Sequence, residues 1–314
     1  MALSCRRTAL HGGGAVTVGP PKRFAGSSPH QTRRLIVNAD DLGLAPGVTE
    51  GILELAALGV VTSTSVLVNL PSSQAAWQSV GGSGLDAGLH LNMVSGQPLS
   101  PPRLVPSLLN ADGRFPLARV AMARLLRGQL SMAEVEREWR AQIELYLSTG
   151  LPLTHLDSHC QMHMYPRLAG LTLRLAHIYG VPAVRRLASG FVLQLPGQPR
   201  ARLTLNLPDR AVSPLISARG LYFTDRFTVL TVLGHRRPQA ALRALLTALP
   251  AGVTELICHP GYADDELRGL DTLIAEREHE ARLLASPFFR DLLAELNIGL
   301  TTYRDEVAAA RPRL

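Results

Sequence analysis

The sequence predicts an α/β fold in which parallel strands form a sheet or a (β/α) barrel, and three observations lead to this prediction. An apolar run at 34–40 is typical of a parallel strand that is buried on both faces. A helical pattern at 47–58 and a β-branched run at 60–68 follow it, and strand and helix signals then alternate to residue 302. With 314 residues, of which 46% are hydrophobic, the chain can bury a large core.

Glycine, proline and serine residues delimit the elements of the first half. Gly43 and Pro46 separate the first strand from the helix, which ends at Gly59. A serine pair at 72–73 then begins a second helix, and a third short strand ends at His90.

A long loop precedes the clearest helix of the chain. Residues 95–116 are rich in proline, glycine and aspartate, and they predict a loop over one face of the sheet. The helix at 131–148 begins at Ser131, which is expected to form a capping box with Glu134. A strand then runs from Leu153 towards Asp157.

The second half repeats the pattern. The expected helices lie at 167–179, at 237–248 and before the last strand, and the expected strands lie at 181–185, 254–258 and 298–302. Residues 189–219 are rich in proline and receive no assignment. We therefore expect residues 34–314 to form a single domain.

The basic charge of the chain is confined to its first residues. Although the net charge is +7, residues 1–34 hold six basic residues and no acidic residue, which leaves 26 basic against 25 acidic residues in the remainder. A nucleic-acid surface would place its basic residues on the folded part, so we expect no nucleic-acid partner. Residues 1–33 are predicted to be a disordered basic tail, with a transit peptide and a mis-assigned start as alternatives.

The cysteines and the hydropathy of the chain indicate where in the cell the protein is expected. Cys5, Cys160 and Cys258 are odd in number and far apart, as in a protein of a reducing compartment. No run of roughly 18 apolar residues predicts a membrane span, and the first residues lack the apolar stretch of a secretory signal. We therefore expect a cytoplasmic protein with no membrane partner.

Six polar residues lie at the C-terminal ends of the predicted strands. They are Asp40, Asp41, His90, His159, Arg185 and His259. The carboxyl ends of the strands of a (β/α) barrel form one rim, so we expect these side chains to converge. Converging carboxylates and imidazoles are the groups that bind the metal of a hydrolase, and the sequence therefore predicts a metal-dependent hydrolase site.

Each of these residues, taken alone, also has a simpler interpretation. Asp40 and Asp41 could cap a helix or occupy a turn, and His90 could be a hydrogen-bonded core residue. His259 could pack under Tyr262. Adjacent residues of a strand point to opposite sides, so the two aspartates serve one site only if the chain turns, and Gly43 is expected to supply that freedom.

A cluster of histidines leaves two local structures open. His155, His159 and His163 have the spacing of one helical face. Pro152 and Pro166 flank the cluster and make an uninterrupted helix unfavourable. We favour a strand that ends near residue 157 and a tight loop that carries His159.

Several strings of the chain, in the same order, resemble the YdjC-like carbohydrate deacetylases, a family that includes chitooligosaccharide deacetylases. They are LIVNADD at 35–41, VTST at 61–64, LVN at 67–69, GLH at 88–90, THLDSH at 154–159 and LICHPG at 256–261. The resemblance extends from about residue 34 to about residue 304, which leaves the basic tail outside it.

The resemblance implies a distorted (β/α) barrel with a divalent metal, usually magnesium, held by one aspartate and two histidines. Carried over by motif, the ligands are Asp41, His90 and His159. Asp40 then becomes the general base, with Arg185 orienting it. Zinc remains an alternative to magnesium, because imidazole suits transition metals better.

The resemblance also assigns the residue that protonates the leaving group. His259 is the expected general acid on that basis. Independently of the resemblance, Asn92 and Asp157 are expected to contact the substrate, and His163 is expected either to contact it or to support a residue of the site. The chain departs from the pattern at Cys160 and Gln161, where many relatives carry further histidines. This departure leaves the expected metal ligands in place and affects the side that faces the substrate.

We therefore expect a metal-dependent hydrolase that removes acetyl groups from N-acetylated amino sugars or oligosaccharides, with a small sugar as its substrate and a homodimer as one assembly. One alternative is a hydrolase of another amide or of a lipid-linked amino sugar. An alternative from a different class is a nucleic-acid or membrane-surface binder that uses the basic tail.

Overall fold

A computed structural model of the chain describes residues 32–186, 191–194, 202–205, 215–230 and 238–310. The predicted tail at 1–33 lies outside the described residues up to residue 31, and Arg33 already belongs to the first strand. Much of the unassigned stretch at 189–219 is also outside them. The disorder of the tail and the single-domain organisation remain predictions.

Strands and helices alternate through the described chain. The strands are β1 (Arg33–Leu42), β2 (Ser63–Val66), β3 (Asp86–Leu91), β4 (Leu156–Ser158), β5 (Phe191–Gln194), β6 (Arg202–Leu205), β7 (Arg226–Val229), β8 (Gly252–Cys258) and β9 (Ile298–Leu300). The helices are α1 (Pro46–Ala57), α2 (Ser73–Val80), α3 (Ala118–Leu126), α4 (Met132–Ser148), α5 (Pro166–Ile178), α6 (Pro238–Thr247), α7 (Asp265–Leu270), α8 (Ile274–Ala285), α9 (Pro287–Glu295) and α10 (Tyr303–Ala310). Helices α1, α5 and α9 begin with proline, whose fixed φ favours the first helical turn.

The main sheet is parallel and has the order β4-β3-β2-β1-β8-β7. Strand β9 pairs with the start of β1, at Arg33–Leu35, whereas β2 pairs with β1 from Asn38 onward. Single parallel bridges from Leu156 to Val184 and from Ala183 to Tyr222 extend the arrangement beyond β4. Tyr222 lies just before β7, so the sheet curls round into a distorted barrel, and the predicted fold class is confirmed. Strands β5 and β6 form a separate antiparallel pair.

The alternation along β1 separates the apolar core from the barrel interior. Leu35, Val37 and Ala39 belong to the large hydrophobic cluster that includes the helices, whereas Ile36 belongs to a small cluster with Tyr303. Because side chains alternate along a strand, Asn38 and Asp40 point to the same side as Ile36. The interior of the barrel is therefore increasingly polar towards the carboxyl end of β1.

Three local expectations differ from the structure. The side chain of Ser131 does not cap α4, and Glu134 instead accepts the backbone N–H of Ser107 at 2.7 Å. The capping box is therefore wrong, because the loop that precedes α3 packs on the first turn of α4 and takes the carboxylate. Helix α3 was not expected, and the strand at 181–185 is reduced to bridges at Ala183 and Val184.

Candidate active site

The turn at the end of β1 brings two adjacent carboxylates into one site. The pairing of β1 with β2 changes register between Ala39 and Leu42, and Asp41 has a left-handed backbone with φ 72°. This conformation is unfavourable for most residues other than glycine, although aspartate tolerates it better than most. Gly43 is left-handed too, as its expected role requires, but the chain already turns at Asp41 itself. His90 Nε2 consequently lies 3.3 Å from Asp41 Oδ1 and 3.8 Å from Asp40 Oδ2.

Asp41, His90 and His159 form a group that could hold a metal ion. Their ligand atoms all lie within 4.8 Å of one another. His159 Nδ1 is 2.7 Å from Asp41 Oδ1, and the His90 and His159 rings meet edge to face with centroids 5.6 Å apart. One carboxylate and two imidazoles leave coordination positions open for water or substrate, as a catalytic metal requires.

The second ring nitrogen of His90 is held from below by Asp157. Nδ1 is 2.7 Å from Asp157 Oδ1, which favours the tautomer with the proton on Nδ1 and directs Nε2 towards Asp41. Burial by itself would lower the pKa of His90, but the carboxylates of Asp157 and Asp40 outweigh it and raise this pKa to about 9. A carboxylate behind a ligating imidazole is a common feature of protein metal sites.

Charge supports a divalent cation at this position. Around Asp40, Asp41 and His90, the described residues bury four carboxylates, those of Asp40, Asp41, Asp157 and Glu255, against two guanidinium groups, those of Arg185 and Arg277. With these six groups ionised and the imidazoles neutral, as metal binding requires, two negative charges remain, whereas without a metal the charged imidazole of His90 offsets one of them. Buried charges are costly unless they are compensated, and a divalent ion would compensate both. The residues therefore fit a divalent metal in donor type, spacing and charge.

Arg185 connects three buried carboxylates beneath the site. Its Nη1 and Nη2 donate to the two oxygens of Asp40 at 2.8 and 2.6 Å. Nη2 is also 2.7 Å from Asp157 Oδ2, and Nε donates to Glu255 Oε1 at 2.9 Å. The side chain of Arg185 is 0% exposed, so this two-pronged contact fixes the carboxylate of Asp40 within the barrel.

A second layer of contacts supports Arg185 and Asp157. Tyr303, from α10, donates its hydroxyl to Glu255 Oε2 at 2.8 Å. Ser65 donates to Asp157 Oδ2 at 2.7 Å and is 3.2 Å from His155 Nε2. Burial lowers the pKa of His155 to about 4, so its ring is neutral at pH 7. The His155 ring supports the site and does not belong to the group that could hold a metal.

His259 lies at the end of β8, on the other side of Asp40. Its Nε2 is 4.0 Å from Asp40 Oδ2, and its side chain is 18% exposed. Its backbone N–H donates to Glu280 at 2.6 Å. Burial lowers the pKa of His259, so the ring is neutral at pH 7. Tyr262, its neighbour in the alternative interpretation, donates its hydroxyl to Glu54 at the surface.

The three residues expected to contact the substrate are all buried. Asp157 is fully buried under His90, and both of its oxygens have partners there. His163 is also fully buried, with its Nδ1 2.7 Å from the Ser158 hydroxyl, and burial lowers its pKa to about 3. Asn92 accepts the N–H groups of Val94 and Ser95, which shapes the loop after β3.

Two charged residues of α8 were not expected at the site. Arg277 reaches Asp41, and Glu280 reaches the backbone of His259. A signal was present in the sequence, because Arg277, Ala281 and Leu284 have the spacing of a buried helical stripe. A charged residue on such a stripe is unusual and indicates a buried partner.

Comparison with known proteins identifies the family. The chain matches the family described as YdjC-like protein over residues 34–295. The chain belongs to this family. Among YdjC-like relatives, a protein named carbohydrate deacetylase from Geobacillus stearothermophilus is 32% identical, over 87% of this chain and 98% of its own length. A protein of the same name from Mus musculus is 33% identical, over 89% of this chain and 96% of its own.

A solved structure supports the fold assignment. It is that of a presumed cellobiose-phosphate cleavage protein from Enterococcus faecalis V583, with a TM-score of 0.74 and 27% identity. The match covers 88% of this chain and 99% of that one. In the part of the YdjC-like chain that the structure describes, no helix has the length and apolar character that a bilayer crossing needs.

Proposed function

We propose that the chain is a metal-dependent carbohydrate deacetylase that hydrolyses the acetamide of an N-acetylated amino sugar or oligosaccharide. The observation that carries the proposal is the placement of Asp40 beside the group of Asp41, His90 and His159. A carboxylate next to a metal site is suited to remove a proton from an attacking water. The names of the YdjC-like relatives supply the substrate class.

Asp41, His90 and His159 would hold the divalent ion. When bound, the ion supplies acidity to a water ligand and positive charge near the amide oxygen. Magnesium is the ion proposed from the family resemblance, and zinc is the ion that two imidazole ligands favour. Elemental analysis of the purified protein distinguishes magnesium from zinc.

Asp40 is the proposed base. It would take the proton of the water whose oxygen adds to the acetamide carbon, while Arg185 keeps the carboxylate in place. The C–N bond then breaks, and the leaving nitrogen needs a proton. Acetate and a free amino sugar are the products.

His259 is the proposed acid, and its environment suggests where the proton comes from. The ring is neutral at rest because burial lowers its pKa. Its Nε2 lies 4.0 Å from Asp40 Oδ2, close enough for a small movement to pass on the proton that Asp40 has taken. We therefore propose that the proton travels from water to Asp40, then to His259, and then to the amine.

The remaining expectations are kept as proposals. They are substrate contacts by His163, Asn92 and Asp157, a small sugar as partner with neither nucleic acid nor membrane, a homodimer and a cytoplasmic location. Deleting residues 1–31 separates the enzyme from a binder that acts through its basic tail. The enzyme should keep its full activity, whereas the binder should lose its ligand.

Acetate release from a panel of N-acetylated mono- and oligosaccharides tests the function. We expect release that a chelator abolishes and that added magnesium or zinc restores, together with about one ion per chain by elemental analysis. His159→Ala should lose both the ion and the activity while its circular dichroism is unchanged. Unchanged metal content in that variant would show that the ligand set is wrong, and chelator-resistant release would refute the metal dependence.

A further inference from the structure

Helix α8 carries two buried charged residues one turn apart. Arg277 is 1% exposed and Glu280 is 4% exposed, although most of the other charged residues of this helix face solvent. Glu280 contacts the backbone of His259, and Arg277 contacts Asp41. The helix therefore reaches both sides of the candidate site through buried polar contacts.

The guanidinium of Arg277 joins two carboxylates. Nη2 donates to Asp41 Oδ2 at 2.5 Å and to Asp271 Oδ2 at 2.6 Å, and Nε donates to the same Asp271 oxygen at 2.8 Å. The backbone oxygen of Arg277 also accepts the N–H of Gly261, in the loop that follows His259. Both ends of the residue are thus fixed, and Asp271 holds the guanidinium through Nε and through Nη2, the nitrogen that also contacts Asp41.

This contact decides which oxygen of Asp41 faces the imidazoles. Oδ2 is bonded to Arg277, and Oδ1 is left 2.7 Å from His159 Nδ1 and 3.3 Å from His90 Nε2. The left-handed backbone of Asp41 is a strained conformation, which persists only where surrounding contacts hold the residue. Arg277 supplies that contact from a different part of the chain.

We infer that Arg277 is a positioning residue that orients the carboxylate of Asp41, and that Asp271 in turn orients Arg277. The inference deepens the proposed function, on which it rests, because Asp41 is a metal ligand there. The positive charge of Arg277 by itself would repel a divalent ion. Any gain in metal affinity must therefore come from the fixed, planar geometry of the guanidinium, whose Nε and Nη2 bond Asp271 while Nη2 bonds Asp41. A lysine cannot reproduce this geometry, because its ammonium is a single point of charge.

Two substitutions of Arg277 separate geometry from charge. Arg277→Lys keeps the charge and loses the fork, and Arg277→Met loses both with little change in volume. We expect each variant to bind metal about 10-fold or more weakly by isothermal titration calorimetry, as for other residues that support metal ligands. The kcat should fall with little change in KM, because Arg277 acts on the ligand and not on the sugar.

Asp271→Asn and Arg282→Met complete the experiment. Asp271→Asn should weaken metal binding less than Arg277→Lys does, and it should add nothing in the Arg277→Met background, as residues acting in series do. Arg282→Met removes an exposed arginine of the same helix, paired with Glu278 at 3.3 Å, and should leave both readouts unchanged. Thermal unfolding of the metal-free variants checks the fold. If Arg277→Met does not fold, Arg277→Lys and Asp271→Asn still decide the question.

The outcomes of this experiment separate a failure of the role inferred for Arg277 from a failure of the proposed function. A wild-type protein that binds metal and releases acetate, with an Arg277→Lys variant equal to it in metal affinity and kcat, overturns the inference alone. Tighter metal binding by Arg277→Met with unchanged kcat also overturns it, because Arg277 would then act only through its charge. A wild-type protein that binds no metal overturns both.

Discussion

The ring of His155 is stacked on the ring of Tyr303, with centroids 4.1 Å apart and an angle of 18° between the planes. His155 follows α4 in the chain, and Tyr303 begins the last helix, α10. Tyr303 also donates to Glu255, which in turn accepts from Arg185. The stack therefore anchors the C-terminal helix to the contacts that hold Asp40.

Tyr303→Phe keeps the stack and removes the hydroxyl. The Glu255 oxygen that accepts from Tyr303 then lies buried without that donor, so we expect a loss of about 1–3 kcal/mol in the free energy of unfolding, measured with denaturant. Tyr179 also donates to a glutamate, Glu144, but at an exposed position, and Tyr179→Phe is therefore the matched control. Equal losses in the two variants would contradict a role for burial.

Gly88→Ala should disturb the same stack from the other side. A Cβ at residue 88 would lie 2.4 Å from His155 Cε1, and that ring cannot retreat because Tyr303 lies against it. We expect destabilisation by about 1–3 kcal/mol on thermal or denaturant unfolding. Gly170→Ala, in α5, meets nothing within 4 Å and should be neutral or stabilising. A stable Gly88→Ala protein would show that the barrel interior is looser than described.

Asp40→Asn tests the proposed base separately from the proposed metal ligands. The variant keeps the shape of the side chain, so metal content should be unchanged, whereas kcat should fall by about 10²-fold or more for the loss of a general base. Asp265→Asn, at a fully exposed position, controls for the loss of one negative charge. Near-normal turnover in Asp40→Asn would exclude Asp40 as the base.

His259→Ala should affect two substrate types differently. Cleavage of the amide needs a proton on the departing nitrogen, so kcat for an N-acetylated sugar should fall by about 10²-fold or more. An acetate ester with an activated phenol as leaving group needs no such proton, and its hydrolysis should be spared. Equal losses on both substrates would point to a structural role or to stabilisation of the oxyanion.

Metal binding should release protons. Without metal, the pKa of His90 is raised to about 9, so its imidazole is charged at pH 7, and only the neutral form can bind the ion. Metal affinity should therefore fall as the pH is lowered below about 9. Calorimetry at pH 7 in two buffers of different ionisation enthalpy should detect release of about one proton or more. Binding without proton release would contradict the raised pKa.

Much of the fold could be predicted because its signals are local. The apolar run of β1, the proline that begins α1 and the glycine at 59 with φ 69° all act within a few residues. The capping box failed because Glu134 has a competing partner, Ser107, from a distant loop. The short bridges at 183–184 depend on neighbouring strands in the same way.

The candidate site was predictable at the strand ends and less so beneath them. The position of a residue at the end of a strand can be predicted from the sequence, as it was for Asp41 and His159. The side chain of Asp157 is buried beneath that rim and supports His90 from below. The motif residues by themselves do not reveal this position. Arg277 comes from a helix that follows the last recognised motif, and only its place on a buried stripe gave a signal.

Strand β1 has neighbours that come from distant parts of the chain. Its start, Arg33–Leu35, pairs with both β8 and β9, so this early strand has no partner along that stretch until nearly the whole polypeptide has been made. During synthesis, this apolar strand would have unpaired edges until its partner strands are made. Unpaired strand edges tend to pair with other chains. The yield of soluble protein on expression should therefore rise when chaperones are supplied or when synthesis is slowed.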